Sequence, residues 1–120
     1  MKILIADDEP NIVTALEFLL HQEGYAVEVA RNGEEALAMV ASGAPDLVLL
    51  DVMMPLKSGY EVCREIRGRS AGAGPRILML SAKGSAADAA RGLEAGADLY
   101  VTKPFSTREL MSRIKGLLER

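Results

Sequence analysis

Five short apolar runs, separated by segments of helical spacing, govern what this chain can become. They are Lys2–Ala6, Ala26–Ala30, Asp46–Leu50, Arg76–Leu80 and Leu99–Thr102. Each is rich in Val, Ile and Leu without polar alternation, which is how a strand covered on both faces reads. In the first intervening segment Ile12, Leu16, Leu19 and Leu20 share one helical stripe, and Gly24 offers a stop. In the last, Leu110, Ile114, Leu117 and Leu118 repeat the stripe, with Ser106 as N-cap and Glu109 three residues on. The middle helices are expected at Gly33–Ser42, Gly59–Arg67 and Ser85–Ala95, the last closed by Gly96. Five such β–α repeats predict a parallel sheet with helices on both faces. The stretch Gly68–Pro75, rich in Gly, Ser and Ala, reads as a flexible connector within that rhythm.

Composition narrows the function classes. At 120 residues the chain fits one domain, large enough to bury roughly two-thirds of its unfolded surface. Fourteen Lys and Arg against 17 Asp and Glu leave a net charge of −3, which argues against a domain that grips nucleic acid by itself. The single cysteine, Cys63, excludes an internal disulfide and fits a reducing cytosol. The opening MKILIADDEP brings acids and a proline too early for a signal peptide. No apolar run approaches the length of about 20 residues needed to span a membrane. A cytoplasmic location is expected.

In an open α/β sheet, ligands bind beyond the carboxyl ends of the strands. The polar residues there are Asp7-Asp8 after the first strand, Asp51 after the third, Ser81 after the fourth and Lys103 after the fifth. The second strand delivers Arg31-Asn32 at the sheet edge. Asp7, Asp8 and Asp51 carry −3 and Lys103 returns +1, so the mouth keeps an excess of −2. Two like charges about 4 Å apart repel by about 4 kcal/mol at an effective dielectric of 20. A divalent cation would relieve that repulsion, and clustered carboxylate oxygens suit a hard ion such as Mg²⁺. Mg²⁺ commonly shares its shell with phosphate oxygens, which points to a phosphoryl group, with Ser81 and Lys103 as donors to it. Asp51 is the best candidate to accept that group itself, because it ends the most apolar strand, Leu47-Val48-Leu49-Leu50.

Taken singly, each residue has an ordinary structural role: the Asp7–Pro10 segment as a helix cap, Ser81 as a turn former, Lys103 as a solvated lysine. Together they resemble a known family. Asp7-Asp8-Glu9-Pro10, Asp51 with Met54-Pro55 and Gly59, Ser81-Ala82, and Lys103-Pro104-Phe105 look like the receiver domain of bacterial two-component response regulators. The resemblance spans essentially the whole chain and is carried by five motifs at consecutive strand ends. It implies a flavodoxin-like, doubly wound five-stranded parallel sheet of order 2-1-3-4-5 with five helices. It implies phosphorylation of Asp51 by a sensor histidine kinase or phosphotransfer protein with Mg²⁺, Mn²⁺ serving as a substitute. By matching position Asp8 and Asp51 hold the metal directly, Met53 through its backbone carbonyl and Asp7 through water. Ser81 and Lys103 contact the phosphoryl group, Tyr100 is the aromatic switch that follows Ser81, and the Lys103-Pro104 bond matches one usually cis. Residues 1–120 are then one receiver domain, any output domain, such as one for transcription, lying beyond Arg120.

Competing classes fit less well. An aspartyl-phosphate phosphatase places an acid–base aspartate two residues after its nucleophile, where this chain has Met53. A flavin carrier needs a hydroxyl-rich phosphate loop where Asp7-Asp8-Glu9-Pro10 stands, and no P-loop is present. The chain therefore reads as a switch that catalyses its own phosphoryl uptake, not an enzyme with an external substrate. Neither Met53 nor Lys83, the residues placed to orient a hydrolytic water, can accept its proton, so self-dephosphorylation is expected to be slow. The last segments resemble winged-helix transcription factor receivers, which form homodimers through the fourth helix, fifth strand and fifth helix. Arg91, Asp98, Glu109 and Arg113 keep parts of that charged face, while Ala89 and Leu99 replace two of its charges. His21 reads as solvated, Cys63 as a buried or half-buried helix residue without a reactive neighbour, and the six methionines as core filler.

Overall fold

The apolar runs hydrogen-bond side by side and the stripes cover them. The computed structural model describes residues 1–70 and 74–119. Its elements are β1 Lys2–Ala6, α1 Pro10–Gln22, β2 Ala26–Ala30, α2 Gly33–Gly43, β3 Leu47–Asp51, α3 Gly59–Ser70, β4 Arg76–Ser81, α4 Ala86–Glu94, β5 Leu99–Thr102 and α5 Thr107–Leu118. All strand pairs are parallel and the order is β2-β1-β3-β4-β5, the doubly wound, flavodoxin-like arrangement expected.

Successive side chains of a strand point to opposite faces, so the central strands feed two cores. Leu4, Ala6, Val48, Leu50, Ile77 and Met79 face α2 and α3. Ile3, Ile5, Leu47, Leu49, Leu78 and Leu80 face α1 and α5. Every residue of β3 is buried. The expectation of burial on both faces fails for β2 and β5, whose residues are mostly half-buried, because an edge strand has a neighbour on one side only.

Helix starts are set by short side chains. Asn32, Ser85 and Ser106 each accept a backbone N–H of the following turn, an interaction worth typically ~1 kcal/mol. The α1 stripe is rotated slightly from that expected: Val13, Leu16 and Leu20 are buried, with Ile12 and Leu19 half-buried beside them. The third strand begins one residue later than expected and includes Asp51; just before it the Asp46 carboxylate accepts the Lys2 N–H at 2.8 Å. The expected connector Gly68–Pro75 is shorter than its composition suggests, since α3 takes up Gly68, Arg69 and Ser70. Residues 71–73 of that stretch, and Arg120, lie outside the described residues.

At the end of the sheet remote from the strand tips, Arg67 ties three segments. Its guanidinium donates to the Gly96 carbonyl (2.8 Å), the Pro75 carbonyl (2.7 Å) and the Asp98 carboxylate (2.9 Å). Asp98 also accepts the Ile77 N–H. Among the described residues no helix is long and apolar enough to cross a membrane.

Candidate functional site

β1 and β3 are adjacent and parallel, so their carboxyl ends bring Asp7, Asp8 and Asp51 together. One carboxylate oxygen from each lies within 4.8 Å of the others. Asp7 and Asp51 are buried, whereas Asp8 is exposed. Asp7 has both oxygens engaged: Oδ1 accepts the Glu9 N–H at 2.9 Å, and Oδ2 accepts from Lys103 Nζ at 3.1 Å. Pro10 at the first position of α1 fixes the chain as it leaves this loop.

Asp51 closes β3, and its Oδ1 accepts the Met53 N–H at 3.3 Å. Gly59 lets the loop after β3 fold back onto it. A Cβ at residue 59 would stand 2.4 Å from the Asp51 carbonyl oxygen, closer than any side chain tolerates. In the same loop Leu56 has φ +72°, and the Lys57 N–H donates to the Pro55 carbonyl at 2.8 Å in a tight turn.

Lys103 arrives from the far edge of the sheet. Its backbone N–H is held by the Ser81 carbonyl at 2.7 Å, and the Lys103-Pro104 peptide is cis. Its ammonium lies 3.1 Å from Asp7, 3.2 Å from Glu9 and 3.7 Å from Asp51. Burial alone would lower the Lys103 pKa, but the Asp51 and Asp7 carboxylates together outweigh it and raise the pKa above the ordinary lysine value. Asp51 is pushed up to about 6, first by burial and then by the charge of Asp7, against the opposing pull of Lys103. Negative charge is thus under-compensated at this mouth, and its oxygen donors fit a hard divalent cation.

Ser81, fully buried, closes β4 one residue beyond Leu80, the register partner of Asp51. Its Oγ accepts the Lys83 N–H at 3.0 Å. Tyr100 is half-buried in β5 and donates its hydroxyl to the Lys83 carbonyl at 2.6 Å, so Ser81 and Tyr100 both bond to Lys83 of the β4–α4 loop. A Cβ at Gly92 would stand 2.8 Å from the Tyr100 ring and 2.9 Å from Met79 Sδ, so the missing side chain is the seat of that ring.

A sequence model of the response regulator receiver domain matches residues 3–115. The chain belongs to the response regulator receiver family. This receiver domain superposes on a response-regulator structure from Chloroflexus aurantiacus J-10-fl at 39% identity and TM-score 0.93, covering 99% of this chain and 98% of that one. The BeF3-activated N-terminal receiver domain of Klebsiella pneumoniae RstA matches at 32% identity and TM-score 0.93, with both chains fully covered. A receiver domain from Francisella, response regulator 1452, matches at 33% identity and TM-score 0.92, over 99% of this chain and 97% of that one. Membership places the domain in phosphorylation-based signalling, with a histidine kinase or phosphotransfer protein as its partner.

Sequence reasoning singled out Asp7, Asp8, Asp51 and Lys103, and the fold brings these four to one mouth. Reading Glu9 as part of a motif missed its contact with Lys103. The reading of the methionines changes, and that of Cys63 holds. Met53 is 59% exposed and Met1 64%, so the methionines are not uniformly core filler. Cys63 is fully buried, and burial pushes its thiol up to about 11, leaving it unreactive.

Proposed function

We propose that this receiver domain is a phosphorylation-controlled switch whose acceptor is Asp51. The observation that carries the proposal is a buried carboxylate at a strand end, crowded by two further carboxylates and approached by one ammonium. With its pKa near 6, Asp51 is still mostly ionised at neutral pH and available as a nucleophile. Its oxygen attacks phosphorus, the P–N bond of a phosphohistidine breaks, and the imidazole leaves with the bonding pair and takes a proton from solvent. Asp8, Asp51 and the Met53 carbonyl would hold a Mg²⁺ ion directly and Asp7 through water, and that ion would neutralise charge on the phosphoryl oxygens. Lys103 donates to one of those oxygens and Ser81 to another.

Two features support the reading. The RstA domain is BeF3-activated, and a beryllium trifluoride group has the tetrahedral shape and charge of a phosphoryl group. Ser81 and Tyr100 meet at Lys83, so a Ser81 hydroxyl drawn to the phosphate pulls the loop that carries the Tyr100 partner. The output face is then α4, β5 and α5, presented to an output domain, a partner or a second copy. Of the charges read there, Asp98 is tied to Arg67, Arg91 lies 4.2 Å over the Tyr60 ring, and Glu109 pairs with Arg113 at 3.1 Å. The domain is not an enzyme for an external substrate; its chemistry is its own loading and slow self-dephosphorylation.

The test is phosphoryl uptake from phosphoramidate with Mg²⁺, followed by intact mass. Wild type should gain one phosphoryl group and Asp51→Asn none. Equal uptake by the variant would remove Asp51 from the role.

A further inference from the structure

We propose that Glu9 is a positioning residue that holds Lys103 in its resting place, and that loading of Asp51 requires the ammonium to leave it. The inference rests on Asp51 as the phosphoacceptor.

The resting geometry is lopsided. Lys103 Nζ has three N–H donors, and two acceptors lie within hydrogen-bond reach: Asp7 Oδ2 at 3.1 Å and Glu9 Oε1 at 3.2 Å. Asp51 Oδ1, at 3.7 Å, lies beyond it. Both ends of the competing contact are anchored. The Glu9 N–H is fixed on Asp7 Oδ1 and Pro10 follows it, while the Lys103 N–H is fixed on the Ser81 carbonyl. Movement toward Asp51 therefore falls to the Lys103 side chain.

Asp51 lies beyond hydrogen-bond reach of the resting ammonium, so an ammonium drawn to phosphoryl oxygens there moves off its present partners. Asp7 is 2% exposed, and losing the ammonium would leave its carboxylate buried and unpaired. The Glu9 side chain is 57% exposed, so water replaces the ammonium there. Glu9 is thus the partner released, and its pull on Lys103 opposes loading. Exposed ion pairs of this kind are worth about 0.2–1 kcal/mol, so removing the pull should tighten binding by about 1.4- to 5-fold.

The probe is beryllium fluoride, titrated at saturating Mg²⁺ and followed by NMR, in wild type, Glu9→Gln and Glu9→Asp. Glutamine removes the charge. Aspartate keeps it, withdraws it by about one C–C bond, and at an N-cap turns it toward the helix N–H groups. Both variants should bind the probe about 3-fold tighter, within the range that ion-pair strength allows. In both, the Lys103 side-chain signals should already be displaced before the probe is added. Wild-type behaviour of Glu9→Asp beside a tighter Glu9→Gln would overturn the proposal, because net charge and not the contact would then be responsible. Unchanged or weaker binding in both, or unmoved Lys103 signals, would overturn it too. If Asp51→Asn takes the probe as well as wild type does, the phosphoacceptor reading fails and this inference falls with it.

Discussion

Asp51→Asn should stabilise the metal-free domain at neutral pH and lose that advantage in acid. An ordinary aspartate releases its proton near 3.8, whereas burial and the Asp7 charge hold the Asp51 proton up to about 6. Between those values the folded state binds more protons than the unfolded state, so stability falls as pH rises through the window. Above it the ionised carboxylate costs the fold about 3 kcal/mol, two units at 1.36 kcal/mol each. Asparagine removes the charge, keeps an acceptor for the Met53 N–H, and leaves Lys103 with Asp7 and Glu9. The opposing Lys103 attraction is already counted in that figure, and burial of the new amide offsets part of it, so a net gain of about 1–3 kcal/mol at pH 7.5 is expected. For a chain of this length that raises Tm by roughly 5–10 °C. Urea and thermal unfolding in EDTA, from pH 4 to 8, would measure it. The difference between variant and wild type should vanish near pH 4, and in Mg²⁺ it should shrink because the ion stabilises wild type. Parallel pH profiles, or a variant less stable at pH 7.5, would refute the reasoning.

Mg²⁺ should raise the wild-type Tm through binding linkage, and Asp8→Ala should remove most of that rise; an undiminished response would place the ion elsewhere. Aspartyl-phosphate loss should be slow in wild type and faster in the Met53→Asn, Lys83→Glu double variant, since both new side chains accept a hydrogen bond from water. Decay of wild type within seconds, or no acceleration in the double variant, would contradict this. Gly92→Ala should cost about 1–3 kcal/mol by urea unfolding, because its Cβ would meet the Tyr100 ring at 2.8 Å; unchanged stability would show that the ring moves aside freely.

The buried strands were legible because a run such as Leu47-Val48-Leu49-Leu50 has few other fates. Helix starts were legible where a serine or asparagine preceded a stripe, as at Ser85 and Ser106. The strand order came from likeness to a family, since local pattern carries no information on which strands pair. What stayed hidden depends on distant partners. Lys103 and Glu9 are 94 residues apart, and nothing in either neighbourhood announces their contact. The Asp51 pKa depends on burial that only the assembled sheet and helices create. The Arg67 tie to Pro75, Gly96 and Asp98 joins residues whose own segments suggest surface. Leu56 gives no sign of its positive φ, because leucine is not a residue that turns select for.

The central claim is that phosphoryl transfer to this domain ends on one carboxylate. Borohydride reduces an acyl phosphate to the alcohol, so a phosphorylated aspartate becomes homoserine at that position. After loading with phosphoramidate and Mg²⁺, reduction and peptide sequencing by mass spectrometry should find homoserine at residue 51 alone, with the yield collapsing in EDTA. Homoserine at residue 7 or 8, or its absence under conditions that add phosphoryl mass to the chain, would contradict the assignment of Asp51.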